Sequence, residues 1–139
     1  MFKDRQNSAQ GLVELALSLP LLLILVLGAL DFGRAFYLKV ILENSAREGA
    51  YFMVYESADG KVNNFALAKA AVQIEGQNSG LAIPTGDIEI FCKQGNVVNN
   101  TCPNGSIVVV RATHQMDLVV LAFFTGPIDL TGEARMLIP

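Results

Sequence analysis

The sequence predicts an α+β fold in which a long N-terminal transmembrane helix continues outside the membrane and a short helix packs on a small antiparallel sheet. Two observations support this prediction. Residues 12–30 form a nearly unbroken apolar run, and beyond residue 86 the hydrophobic pattern changes from helical spacing to alternation. The chain has 139 residues and is 52% hydrophobic, which fits one small domain plus a segment that is not a soluble core.

The apolar run predicts one membrane crossing. At a rise of about 1.5 Å per residue, a helix from Leu12 to Leu30 spans a hydrocarbon core. Lys3 and Arg5 precede it and favour a cytoplasmic N-terminus, with the C-terminal domain on the periplasmic or extracellular side. A secretory signal is the competing interpretation, because "LGA" at residues 27–29 resembles its cleavage site. The length of the run and the helical pattern that continues past it favour the crossing.

The helix is expected to continue into water. Its next segment contains no proline, and apolar or small residues recur there at helical spacing: Leu38, Leu42, Ala46, Gly49 and Met53. Lys39, Glu43 and Arg47 fall on another face, which we expect to be solvated and to hold a Glu43–Arg47 pair. Pro20 lacks a backbone donor and is expected to kink the membrane part.

The remaining residues predict a compact outer domain. "FALAKAAVQIE" (65–75) has the pattern of a short helix, with Gly76 as its stop. Alternation predicts strands around residues 88–92 and 108–112, joined by the turn-rich "KQGNVVNNTCPNG", and a third strand over 128–138. "LVVLAFFTGP" (118–127) is either a strand end or an apolar loop against the membrane.

Cys92 and Cys102 are the two cysteines, at the two ends of that turn-rich loop. Outside the cytoplasm a disulfide is the natural interpretation, and it would stabilise the domain by about 3 kcal/mol. Two buried free thiols are the alternative. A metal site is disfavoured because two cysteines and the distant His114 are an incomplete ligand set.

The sequence does not predict an enzyme. His114, the one histidine, falls at a half-buried strand position rather than in a catalytic constellation. No nucleophile elbow or phosphate-binding glycine loop is present, and no motif indicates a cofactor. The net charge of −3, without a basic stretch, also argues against nucleic-acid partners.

Glu14 is the unexpected residue in the apolar run. A carboxylate costs up to about 3 kcal/mol at the centre of a membrane helix, so it persists when it has a partner. The alternative is that Glu14 snorkels to the cytoplasmic interface. "QGLVELALSLPLLLILVLGALDFGRAFY" resembles the TadE-like family, minor pseudopilins of the tight-adherence branch of type IV pilus systems. That family has a small residue at a cleavage site, a glutamate five residues later, an apolar helix with proline, and a sequence similar to Asp-Phe-Gly-Arg directly after the apolar run. "LTGEARM" near the C-terminus is a looser similarity.

The resemblance implies that a prepilin peptidase cuts between Ala9 and Gln10, which makes Glu14 the fifth mature residue. Glu14 would then meet the freed amine of a neighbouring subunit and act as a docking residue. Ala9 stands where glycine is commonest, and Leu15 stands where an aromatic residue usually follows the glutamate.

The implied fold is pilin-like. It has a cytoplasmic leader (1–9), a transmembrane helix (10–32), an extramembrane continuation of that helix (33–57) and an extracytoplasmic α+β domain (58–139). The implied location is the bacterial inner membrane, and the implied partners are other pilin and pseudopilin subunits and the pilus assembly machinery. A signal-anchored domain that binds some ligand or partner, unrelated to pili, is the alternative function.

Overall fold

The computed structural model describes residues 3–58, 64–94, 97–99, 102–119 and 126–139, with the side chains of 3–9, 56–58 and 97–99 excepted. It confirms the α+β fold. The elements are α1 (Lys3–Ala58), α2 (Phe65–Asn78), a 3₁₀ turn (Thr85–Asp87), β1 (Ile88–Gln94), β2 (Val97–Asn99), β3 (Ile107–Met116) and β4 (Ile128–Leu137).

α1 is one continuous helix of 56 residues that includes Pro20. Its two halves have opposite surroundings. From residue 10 to residue 30 the side chains are almost all exposed, whereas a stripe in the second half is fully buried: Leu42, Ser45, Ala46 and Ala50. The second half therefore serves as the central helix of the outer domain rather than as a stalk in water.

The sheet is antiparallel, in the order β2-β1-β3-β4. The predicted strands correspond to β1, β3 and β4. The expectation that residues 93–105 serve only as a turn-rich connection is wrong, because β2 pairs with β1 in the register Lys93↔Val98. The physical reason is that Val97 and Val98 are β-branched residues beside an open sheet edge, and β-branched residues favour strands. Of the apolar segment 118–127, residues 120–125 lie outside the described residues.

α1 lies directly on β4. Gly132 in β4 is buried, and a Cβ there would overlap the backbone of Leu42 and Glu43. Lys39 Nζ donates a hydrogen bond to the Thr131 carbonyl oxygen, which ties the helix to the same stretch of strand. Glycine at residue 132 therefore lets the helix and strand backbones touch.

α2 packs beside α1 through Ala68 and Val72, both fully buried. Asn64 caps its N-terminus by accepting a hydrogen bond from Leu67 N at 3.2 Å. The helix ends later than predicted, because Gly76 is an interior residue covered by Ile83. Gly80 has φ +84° and terminates α2, with Leu81 N bonded to Gly76 O and Gly80 N bonded to Gln77 O.

Candidate functional site on the N-terminal helix

The apolar half of α1 is the most unusual surface of the protein. Within the described part of the chain, one helix is long and apolar enough to cross a membrane: Gln10–Tyr55, whose most apolar window has a mean hydropathy of 2.5 and no buried residue. Leu12 is 67% exposed and Leu17 75%. A contiguous apolar surface of this kind needs lipid or another protein against it. The protein accordingly has the features of a single-pass membrane protein.

A line of polar residues runs along the start of this surface. Gln10, Glu14 and Ser18 are each four residues apart and therefore lie on one helical face. Ser18 Oγ donates to Leu15 O at 3.2 Å, so its hydroxyl is satisfied within its own helix. Glu14 is exposed, and its carboxylate is accessible to a group outside this chain.

Of the two residues predicted to flank the cleavage, Gln10 is described in full, whereas the Ala9 side chain lies outside the described residues. The backbone of both belongs to α1. Cleavage and the docking role of Glu14 stay predictions.

Asp31 marks the end of the apolar run, and its structural role cannot be predicted from the sequence alone. It is only 5% exposed, and its carboxylate accepts a hydrogen bond from Val119 N at 3.0 Å. The aromatic residues Phe32, Phe36 and Tyr37 follow it on exposed faces. Aromatic residues are enriched at membrane interfaces, so this segment has the composition of a membrane boundary. The hydrogen bond from Val119 to Asp31 therefore ties the segment after β3 to α1 at that boundary.

The Cys92–Cys102 disulfide is present in the structure, with a Cα–Cα distance of 5.2 Å and both residues buried. It links β1 to the segment that leads into β3, and the chain between the two cysteines contains β2. The bridge therefore fixes the ends of the segment that forms the edge of the sheet.

A charged network covers the sheet face that points away from α1. Glu89, Arg111 and Glu133 are opposite one another on β1, β3 and β4. Arg111 is 2.7 Å from Glu133 and 3.3 Å from Glu89, and Arg135 is 2.6 Å from Glu133. Hydrogen bonds from Arg111 and Arg135 lower the pKa of Glu133, and the hydrogen bond to Glu133 raises the pKa of Arg111.

A cleft of about 530 Å³ lies at the end of the sheet away from the disulfide, and its lining includes the half-buried His114 and the exposed Asp87 and Asp129. No group of three His, Cys, Asp or Glu residues is arranged to hold a metal ion in the described ranges. His114 therefore lies at the half-buried strand position expected from the alternation.

The family model described as TadE-like protein matches residues 9–50. The match begins at Ala9, includes Glu14, Pro20 and the whole apolar run, and ends within the buried half of α1. It confirms the family resemblance seen in the sequence. No curated protein and no solved structure matches the chain.

Proposed function

We propose that this TadE-like chain is a minor pseudopilin, a membrane-anchored structural and assembly component of a tight-adherence type IV pilus that acts without catalysis. One observation carries the proposal. The family match at residues 9–50 coincides with an exposed Glu14 on a helix whose neighbouring surface is apolar and uncovered. A carboxylate in that position is suited to a partner outside its own chain.

The docking chemistry follows from cleavage after Ala9. A prepilin peptidase would leave an ammonium on Gln10, one helical turn from Glu14. In the low dielectric of a membrane or a filament core, the ammonium of one subunit and the Glu14 carboxylate of the next attract strongly, and each reduces the other's cost of desolvation. When the pair forms between two subunits, it fixes their axial register.

The proposed location is the bacterial inner membrane, with the outer domain in the periplasm or outside the cell. Lys3 and Arg5, before the apolar run, support a cytoplasmic N-terminus. The Cys92–Cys102 bridge agrees with an oxidising compartment for the outer domain. The partners on this proposal are the prepilin peptidase, sister pilin and pseudopilin subunits, and the assembly machinery.

Glu14→Gln tests the docking role. We expect membrane insertion and abundance to be unchanged or improved, because a neutral amide is easier to insert than a carboxylate. Co-purification with other pilus components should fall strongly, since breaking a buried ion pair costs about 3–5 kcal/mol. Surface pilus counts should fall with it.

Glu48→Gln is the matched control, because Glu48 is exposed on the same helix but outside the apolar run. It is preferable to Glu43, which pairs with Lys39 at 3.0 Å. If the Glu14 and Glu48 variants assemble equally well, Glu14 only snorkels. The helix would then be a plain anchor, and a tethered binding domain would become the better account.

A further inference from the structure

We propose that the groove between α1 and the ends of β3 and β4 binds an acyl chain of a phospholipid from the leaflet on the outer-domain side. This groove has a volume of about 520 Å³. Its walls come from α1 on one side and from the outer domain on the other: Ile24, Gly28, Asp31, Phe32, Ala35, Leu118 and Ile128. The inference goes beyond the proposed function and rests on the membrane crossing that the proposed function includes.

The depth of the groove is the first argument. Gly28 and Ile24 precede Asp31 by three and seven residues, so they lie about 4.5 Å and about 10 Å below it along the helix axis. Both belong to the apolar run that is expected to lie in the hydrocarbon. Leu118 and Ile128 line the same groove, so this end of the sheet reaches down to the outer part of the bilayer.

The chemistry of the groove is the second argument. Six of its seven lining residues are apolar or glycine. The exception, Asp31, has almost no exposed surface, and its carboxylate already accepts the Val119 N–H. A ligand in this groove therefore meets hydrocarbon surface, which an acyl chain covers and water does not.

The shape of the groove is the third argument. No atom lies within 4 Å of the position that a Cβ on Gly28 would occupy, so the space beside the helix backbone is open. A helix with its side chains is about 10–12 Å across, whereas a single acyl chain is slimmer and fits a narrower space. A lipid that lies against the exposed residues 12–30 can therefore place one acyl chain in the groove.

The test uses the full chain reconstituted in vesicles of phosphatidylethanolamine and phosphatidylglycerol that carry a photoactivatable group on one acyl chain. Cross-linked residues are mapped by mass spectrometry. We expect cross-links at Leu118 or Ile128 in addition to those along residues 12–30. Gly28→Leu should fill the groove and reduce the outer-domain cross-links several-fold while sparing those along the helix.

Gly33→Leu is the matched control. Gly33 also has open space at its Cβ position, but it does not line the groove, so its replacement should leave the Leu118 and Ile128 cross-links unchanged. Equal reduction by both variants would overturn the proposal. Cross-links confined to residues 12–30 would overturn it too, while leaving the membrane crossing intact.

Two further outcomes separate this inference from the proposed function. If a photoactivatable residue placed at Leu118 or Ile128 cross-links to another subunit instead of to lipid, a protein fills the groove and the lipid proposal is wrong. Absence of all lipid cross-links, together with extraction by alkaline carbonate, would contradict the membrane crossing itself.

Discussion

Glu133 pairs with two arginines, Arg111 and Arg135, on the sheet face that points away from α1. Two arginines donate hydrogen bonds to its carboxylate, and they hold its pKa below the ordinary 4.5. A carboxyl group with a lowered pKa in the folded state binds its proton less readily than in the unfolded chain. Its contribution to stability is therefore fully present above about pH 4.5 and is lost as the pH falls through the lower folded-state pKa.

Glu133→Gln should reduce stability near neutral pH by about 1 kcal/mol, the upper end for pairs near a surface. It should also make the stability of the outer domain decline less as the pH falls below about 4.5, because the proton-linked contribution is gone. Thermal unfolding of the detergent-solubilised chain at several pH values measures both effects. Glu48→Gln should retain the full acid dependence, and an identical decline for the Glu133 variant and the parent chain would contradict the prediction.

The disulfide was predictable from single residues, because two cysteines at the ends of one loop indicate a bridge. Glu14 is noticeable because the residues around it are apolar, and its docking role stays a prediction. Residues whose role depends on distant packing were not predictable. Gly76 has the appearance of a helix stop, but it is an interior contact for Ile83, and Gly80 ends the helix. The partner of Glu43 is Lys39 rather than Arg47, which instead donates to Asn44.

At the scale of elements, α1 and β4 pack backbone against backbone at Gly132. Gly132→Ala would place a methyl group into the backbone of Leu42 and Glu43, and the helix backbone cannot move aside as a flexible side chain can. We expect a loss of about 3 kcal/mol, the upper end for overpacking, with a lower thermal midpoint of the outer domain. The Lys39–Thr131 hydrogen bond should weaken as the helix is pushed away.

Gly86→Ala is the control for that substitution. Gly86 is exposed and has no atom within 4 Å of its Cβ position, so its replacement should leave the midpoint nearly unchanged. Unfolding of both variants in the same detergent gives the comparison. If the Gly132 and Gly86 variants melt together, the helix and strand backbones do not pack as closely as described.

Elements with a sustained hydrophobic period could be predicted from the sequence, and β2 could not. α1, α2, β1, β3 and β4 each repeat their pattern over several residues. β2 has three residues between turn-forming asparagines and glycines, too few to show a period. Its existence depends on β1, which offers an edge for it to pair with.

At the scale of the whole molecule, the mature chain is expected to begin at Gln10. Expression in a host with an active prepilin peptidase should give a mass that lacks residues 1–9, because Ala9 is small and stands five residues before Glu14. The same chain from a host without the peptidase should retain Met1. An intact Met1 in both hosts would contradict the proposed processing and favour the anchor alternative.

The continuity of α1 has a mechanical consequence. One helix forms both the apolar run and the central helix of the outer domain. If α1 shifts along its axis by one helical turn, about 5.4 Å, the sheet therefore moves by the same distance. From Asp31 to Leu42 and Glu43, where it meets Gly132 of β4, α1 is continuous helix. The missing hydrogen bond at Pro20 makes the helix most pliable inside the apolar run. A sideways force on the outer domain would therefore bend α1 at that proline, inside the apolar run, rather than at the boundary with the outer domain.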